Sequence, residues 1–230
     1  MPRYPLPSRS LLLILVALTA LGEISTQLII PSLGAIELIM SARPGSSLLA
    51  LSAFVAAFGL GQLLLGPLSD RIGRRPVLIA GLLVYLLATL WMLLASSMGE
   101  FIAARVLQGL GACAALVLAR AIVRDVWQAQ AGPALALTVI GMLCAIALSP
   151  ILGGVLTLYG GWRAPIALAL LIGVAIVAAV LGLYRESNRQ LDPQAGQLSR
   201  LTGNYADLLR AASFRALALR WPAPMVRCSR

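Results

Sequence analysis

Ionisable side chains at Glu23 and Arg105 stand inside long apolar stretches of the sequence, where a charge is costly and by default suggests a function. Gln27 follows Glu23 by one helical turn, on the same helix face. A carboxylate in a partly dry cavity can bind and release a proton near neutral pH. A cation bound at the same place would compete with that proton, which is the physical basis of antiport. The alternative interpretation is a buried charge without a transport role.

A short Arg-rich segment forms a second candidate site. It reads Gly66-Pro67-Leu68-Ser69-Asp70-Arg71-Ile72-Gly73-Arg74-Arg75-Pro76. A carboxylate at a membrane edge can cap a helix N-terminus or pair with Arg, and Arg124-Asp125 offers a second such pair. A charge network that forms in one conformation and breaks in another would act as a gate. The predicted gating residues are Gly66, Asp70, Arg71, Gly73, Arg74, Arg75, Arg124 and Asp125.

The composition is that of a membrane protein. Of 230 residues, 60% are hydrophobic and 11% are charged, whereas soluble domains have about 25% charged residues. The 18 basic residues are all Arg, against 8 acidic residues and no His. Because His is absent and the three Cys lack metal-ligand spacing, no metal site is predicted. The Arg residues lie in loops between apolar runs, so no nucleic-acid partner is predicted.

Six apolar runs are long enough to cross a bilayer as helices. They are Leu11–Ile30, Leu48–Leu68, Val77–Leu94, Phe101–Val123, Ala134–Leu156 and Ala164–Leu183. Pro31 ends the first run, and the fifth contains Ser149, Pro150, Gly153 and Gly154; such weakened helices are tolerated where they line a cavity.

Alternate loops carry Arg3, Arg9, Arg71, Arg74, Arg75, Arg124, Arg185 and Arg189, and the opposite loops carry Arg43 and Arg163. The positive-inside rule therefore predicts that both termini are cytoplasmic.

These segments, in this order, resemble the major facilitator superfamily. Gly66 to Arg75 looks like its signature between the second and third helices, and the run from Arg105 through Gln108 to Ala112 is similar to the fourth-helix motif of its drug:proton antiporters. Ser149-Pro150 with Gly153-Gly154 resembles the antiporter motif of the fifth helix. Pro31 within Ile30-Pro31-Ser32-Leu33, and Gly161-Trp162-Arg163, look most like the bicyclomycin-resistance (Bcr/CflA) branch.

The resemblance implies an all-α membrane protein whose six helices form one half of a major-facilitator fold. It implies a proton and substrate cavity lined by Glu23, Gln27, Arg105 and Gln108, with the Arg involved in proton coupling. The expected activity is export of small lipophilic or cationic drugs across the bacterial inner membrane, driven by the proton gradient without a cofactor. One position departs from the branch: its Ser-Thr-Asp is Ser25-Thr26-Gln27 here. Gln cannot titrate, so Glu23 is the candidate replacement.

The length corresponds to one of the family's two halves, which hold the substrate site between them. Residues 1–184 are predicted to form the six-helix bundle, and residues 185–230 a cytoplasmic linker with an Arg-rich tail. An apolar run beginning at Ala216 stops after about four residues, too few to span a bilayer; this favours a truncated helix over an amphipathic surface helix.

Two alternatives to the antiporter stay open: a transport-inactive fragment, and a half-transporter that works only with a second half or as a homodimer. The sequence holds no ATP-binding loop and no nucleophile constellation, so neither an ATP-driven pump nor an enzyme is predicted.

Overall fold

The computed structural model describes residues 9–184 and Glu186, and its regular elements there are all helices. They are α1 (Arg9–Gln27), α2 (Leu33–Ile39), α3 (Ser46–Ile72), α4 (Arg74–Leu94), α5 (Met98–Trp127), α6 (Ala131–Gly160) and α7 (Arg163–Leu183), with 3-10 turns at Ile30–Ser32 and Gln128–Gln130. Six segments are long and apolar enough to cross a membrane, and the first, Ser10–Ile39, combines α1 and α2. The predicted all-α fold with six spans is confirmed. Apart from Glu186, the predicted linker and tail lie outside the described residues.

The segment expected to be a loop between the second and third spans is almost entirely helical. α3 continues through Asp70 and Arg71 to Ile72, and α4 begins at Arg74, so that Gly73 alone separates the two helices. Gly73 has a φ of +113°, a conformation that side chains with a Cβ rarely adopt. The prediction of a loop is therefore wrong. The charged residues belong to the ends of α3 and α4, because Gly73 alone makes the turn between the two helices.

Two carboxylates fix the helix starts at the opposite end of the bundle. Glu37 accepts hydrogen bonds from the backbone N–H groups of Gly45 and Ser47, each at 3.0 Å, where α3 begins. Ser97 caps α5 by accepting from the N–H of Glu100 at 3.3 Å, while the Glu100 carboxylate accepts from the N–H of Ser96 at 2.9 Å. Helix starts leave N–H groups without intrahelical partners, and these acids satisfy them in the manner of a capping box.

α5 occupies the centre of the bundle and is the most buried of the six spans. It packs against α1, α3, α4 and α6. Small residues permit this close packing, since a Cβ on Gly109 would lie 2.6 Å from the carbonyl oxygen of Phe54, and one on Gly111 would lie 2.5 Å from the backbone nitrogen of Tyr85. In lipid, such small-residue contacts let helices approach where apolar side chains gain little from burial. The central position of α5 places Arg105 away from solvent and lipid.

The helices alternate in direction, which gives the bundle two distinct ends. At the Gly73 end, the α3–α4 junction lies beside the end of α5, because Arg74 contacts Asp125. At the Gly161 end, the Nε of Arg163 donates to the Leu93 carbonyl at 3.1 Å. We call these two faces the Gly73 end and the Gly161 end.

Candidate functional site

Arg105 is held inside the bundle without an acidic partner. Its side chain is 1% exposed, and within the described residues it forms no ion pair. Its Nη1 donates to Oε1 of Gln108 at 2.8 Å and reaches the carbonyl oxygen of Ser25 at 3.5 Å. The guanidinium also lies over the Phe54 ring, 4.3 Å from the ring centre. Dipoles and an aromatic face therefore stabilise a positive charge that no carboxylate neutralises.

A chain of buried hydrogen bonds continues from Gln108 across the bundle. Its Nε2 donates to Oγ1 of Thr89 at 2.9 Å, and that hydroxyl donates to the Tyr85 carbonyl at 2.7 Å. The Tyr85 hydroxyl lies 2.7 Å from Oγ of Ser25 and donates to the Ala169 carbonyl at 3.2 Å. This Arg105 network links α5 to α4, α1 and α7. Buried polar networks of this kind are stable only when their members are satisfied.

Phe54, Tyr85 and Thr89 are members of this site that the sequence did not single out. Each is an uncharged residue within an apolar span, where aromatic and hydroxyl side chains are ordinarily packing residues. The sequence offered one indirect indication of such partners: a buried Arg requires hydrogen-bond acceptors from its neighbours. Which helices supply them depends on tertiary packing, which residue spacing along one chain does not reveal.

Glu23 and Gln27, the other predicted cavity residues, are half-buried on α1 and do not reach Arg105. Arg105 contacts α1 at Ser25, which is about 200° around the helix from Glu23. In the part of the chain that the structure describes, Glu23 forms no hydrogen bond or ion pair. The other described carboxylates all have partners, namely Glu37, Asp70, Glu100, Asp125 and Glu186. The proton-binding role of Glu23 stays a prediction.

Three of the predicted gating residues, Asp70, Arg74 and Asp125, meet at the Gly73 end. Nη1 of Arg74 lies 2.6 Å from the Asp70 carboxylate and 2.5 Å from Oγ of Ser69, and its Nε lies 3.1 Å from the Asp125 carboxylate. The expected pair between Arg124 and Asp125 is not formed, because Asp125 faces α4 while Nε of Arg124 points to the Arg120 carbonyl at 3.4 Å. Arg74 thus joins the ends of α3 and α5 to the start of α4.

Glu186 supplies a contact at this end that the sequence did not indicate. Its carboxylate accepts from the backbone N–H groups of Arg74 and Arg75 at 3.1 and 2.9 Å, the favourable position for an anion at a helix N-terminus. Nη2 of Arg75 in turn donates to the Leu181 carbonyl near the end of α7 at 3.3 Å. A Cβ on Gly73 would lie 2.9 Å from the Glu186 carboxylate, so this glycine also makes room for the acid.

The remaining predicted residues of the Gly73 end have less specific surroundings. Arg71 is exposed, and Gly66 packs near Val117, whose methyl carbon would lie 3.8 Å from an added Cβ. Neither residue contributes to the contacts of Arg74. Their gating role stays a prediction.

The antiporter-like segment of α6 forms a close crossing with the first span. Oγ of Ser149 donates to the Ala145 carbonyl at 2.6 Å, and Pro150 lies inside the helix. Gly153 packs directly on the Leu28 carbonyl, which a Cβ would overlap, whereas a Cβ on Gly154 would meet nothing within 4 Å. Of the two glycines, only Gly153 is required by the packing of these helices.

A wide apolar groove lies apart from these residues. It has a volume of about 620 Å³ between α3, α4 and α5, and its lining is apolar residues and glycine alone. Ligand sites normally add a few well-placed polar groups to an apolar lining, and none of the predicted site residues lines this groove. The Arg105 network and Glu23 are therefore the stronger candidate site.

Comparison with known proteins identifies the family. The family model described as Major Facilitator Superfamily matches residues 12–225. The chain belongs to the major facilitator superfamily. Its members are transporters, so the chain is a multi-pass membrane protein of a transport family and not of an enzyme family.

Relatives of the chain carry names of drug-resistance proteins. Multidrug resistance protein D of Escherichia coli (strain K12) is 33% identical over 211 residues, covering 91% of this chain and 52% of that protein. The chloramphenicol resistance protein of Pseudomonas aeruginosa is 39% identical over 139 residues, covering 60% of this chain and 32% of that protein. The chain spans about half the length of such relatives.

A solved structure shows the same fold at low sequence identity. The human organic anion transporter MFSD10 (TETRAN) aligns with a TM-score of 0.68 at 20% identity, over 86% of this chain and 52% of that one. At this identity the likeness establishes the fold alone. It agrees with the prediction that the six helices form one half of a major-facilitator fold.

Proposed function

We propose that this protein exports drug-like molecules from a bacterial cell in exchange for protons, as a member of the bicyclomycin-resistance (Bcr/CflA) branch. The names of the relatives support the substrate class. The motifs around Pro31 and Gly161-Trp162-Arg163 support the branch. Because the chain spans half the length of its relatives, the activity is proposed for the transporter to which these six helices contribute.

The observation that carries the proposal is the uncommitted carboxylate of Glu23. It is half-buried within the first span and, among the described carboxylates, is the one that forms neither a hydrogen bond nor an ion pair. A carboxylate at this depth costs free energy that no local contact offsets. A group that binds protons or cations during transport must keep its oxygens available for them.

The buried charge of Arg105 limits how many positive charges the site can bind at one time. Ionised Glu23 and Arg105 together carry no net charge, and binding either one proton or one monovalent cation raises the total to +1. Binding both would place two uncompensated positive charges in a region of low dielectric constant, which is strongly unfavourable. Proton and cationic substrate would therefore exclude each other, as antiport requires.

We also place the Gly73 end in the cytoplasm of the cell. It carries Arg71, Arg74, Arg75, Arg120 and Arg124, whereas the described residues of the Gly161 end include Arg43 and Arg163. An excess of Arg marks the cytoplasmic side of a membrane protein. The location in the bacterial inner membrane, and the cytoplasmic position of both termini, follow from the same proposal.

The test is drug uptake into inverted membrane vesicles from cells that produce the protein. With a pH gradient acid inside, vesicles should accumulate ethidium, and a protonophore should abolish the accumulation. Arg105→Met removes the buried charge at similar volume and should lower uptake by about tenfold or more, equivalent to a loss of about 1.4 kcal/mol. Exposed Arg43→Gln is the matched control and should transport normally. Uptake that ignores the protonophore, or that is unchanged in Arg105→Met, would contradict the proposal.

A further inference from the structure

The first span is interrupted just beyond the candidate site. α1 ends at Gln27, and the chain continues through the 3-10 turn Ile30–Ser32 into α2. Pro31 lies in that turn. It has no N–H to donate to the Gln27 carbonyl, and its ring clashes with that carbonyl in a continuous α-helix. Pro31 therefore disfavours a continuous α-helix at this point.

The interruption releases the carbonyl group of Ser25 from helical hydrogen bonding. The N–H of Leu28 still donates to the Ile24 carbonyl at 2.9 Å, in the α-helical pattern, but the N–H of Ile29 turns to Thr26 at 3.3 Å. In an unbroken helix that N–H would bond Ser25. Among the described residues the Ser25 carbonyl has no backbone donor, although Ser25 is fully buried. A buried carbonyl requires another donor.

The donor that lies there is Nη1 of Arg105, at 3.5 Å. The last carbonyls of a helix carry the negative end of its dipole, and an Arg is favourable beside them. The Ser25 carbonyl therefore compensates part of the Arg105 charge, since no described carboxylate pairs with Arg105. Two titratable residues on neighbouring helices, Glu23 on α1 and Tyr85 on α4, form no ion pair with Arg105.

From this geometry we infer that Pro31 is a positioning residue for Arg105: by breaking α1 it frees the Ser25 carbonyl to bind the guanidinium. The inference rests on the proposed function for its role in transport. The contact itself can be tested without transport. Pro31→Ala returns the N–H and permits a continuous helix, in which Ile29 would take the Ser25 carbonyl away from Arg105.

The contact is tested by a thermal-unfolding cycle on the purified protein in detergent. The proteins compared are the wild type, Pro31→Ala, Arg105→Met and the double variant. Pro31→Ala should lower the melting temperature more in the wild type than in the Arg105→Met protein, where there is no guanidinium to displace. Pro150→Ala, at the proline inside α6, is the control and should cause equal shifts in both backgrounds. Equal shifts for Pro31→Ala would overturn the inference.

A second readout separates positioning of Arg105 from packing alone. In ethidium uptake measured across pH, Pro31→Ala should move the pH profile toward that of Arg105→Met, while Pro150→Ala should change the rate without moving the profile. A profile that keeps its wild-type position in Pro31→Ala overturns the inference. If the wild type shows no proton-coupled uptake, the proposed function fails, and the unfolding cycle alone decides the contact. If Pro31→Ala does not accumulate in membranes, Pro31→Gly replaces it, because it also returns the N–H.

Discussion

At the residue scale, the central feature is a buried Arg whose charge is shared among weak partners. Gln108 provides the shortest contact, and the Phe54 ring and the Ser25 carbonyl lie farther away. An Arg–carboxylate pair would be stronger and would leave the site neutral. The absence of such a pair at Arg105 in the described structure keeps a positive charge available to oppose a second cation near Glu23.

The Phe54 ring should contribute measurably to holding Arg105. Phe54→Leu removes the aromatic face and should lower the free energy of unfolding by about 0.5–2 kcal/mol, the range of cation–π contacts. The measurement is thermal unfolding in detergent, repeated in the Arg105→Met background, where the loss should be smaller. Phe58, whose ring stacks on Phe54 at 5.7 Å, offers the control variant Phe58→Leu. Identical losses for Phe54→Leu in both backgrounds would mean that the ring only packs.

Residue spacing identified the charged members of the site and missed their partners. Glu23, Arg105 and the Arg74 region stand out because charge is rare in apolar sequence. Asp125 was paired with its neighbour Arg124, but consecutive residues of a helix do not face each other, and in the structure Asp125 pairs with Arg74 of α4. The contact of Glu186 with the start of α4 was not predicted, because Glu186 lies in a polar linker, where an acidic residue does not stand out.

At the element scale, the helices were predictable and their junctions were not. Each of the six apolar runs became a span, since lipid leaves a long apolar segment little alternative to a helix. All of the described spans extend beyond the apolar runs. α3, for example, continues through Asp70 and Arg71, and Arg71 is favourable at a helix C-terminus. Crossings such as that of Gly153 on Leu28 depend on which backbones approach each other, and one sequence does not reveal this.

The crossing of α6 on the first span provides a pair of adjacent test positions. Gly153→Ala would drive a Cβ into the Leu28 carbonyl and should destabilise the protein by about 1–3 kcal/mol, as overpacking does. Gly154→Ala meets open space and should be neutral or stabilising by up to about 1 kcal/mol. Melting temperatures in detergent give the comparison. Equal effects of the two substitutions would show that the helices do not cross in this way.

The Arg74 cluster should hold the Gly73 end together. Arg74→Gln leaves Asp70 and Asp125 without their partner and should cost about 1–3 kcal/mol, between the values for exposed and buried ion pairs. The loss, measured as a shift in melting temperature, should shrink in high salt, since Asp70 is partly exposed. Arg71→Gln, at an exposed position two residues from the break, is the control. A similar shift in Arg71→Gln would indicate a general charge effect instead of this cluster.

At the scale of the whole molecule, the described residues form six membrane-spanning segments of a major-facilitator fold, and the chain spans about half the length of Multidrug resistance protein D. α5 carries the buried charge through the centre, α1 contacts it at Ser25 near the break in the first span, and α4 links both helices to the charged cluster at the Gly73 end. A change in the charge state of the site can therefore act on the helix that also supplies Arg74 to that cluster.

The central claim is that a proton and a cationic substrate compete for Glu23, and proton release tests it most directly. The protein is purified in detergent, placed in weakly buffered solution with a pH-indicator dye, and mixed with tetraphenylphosphonium. The wild type should release protons as the cation binds, and Glu23→Gln should release none. Glu37→Gln, which alters a carboxylate bound to backbone N–H groups, should release protons like the wild type. Release from Glu23→Gln equal to that of the wild type would contradict the account.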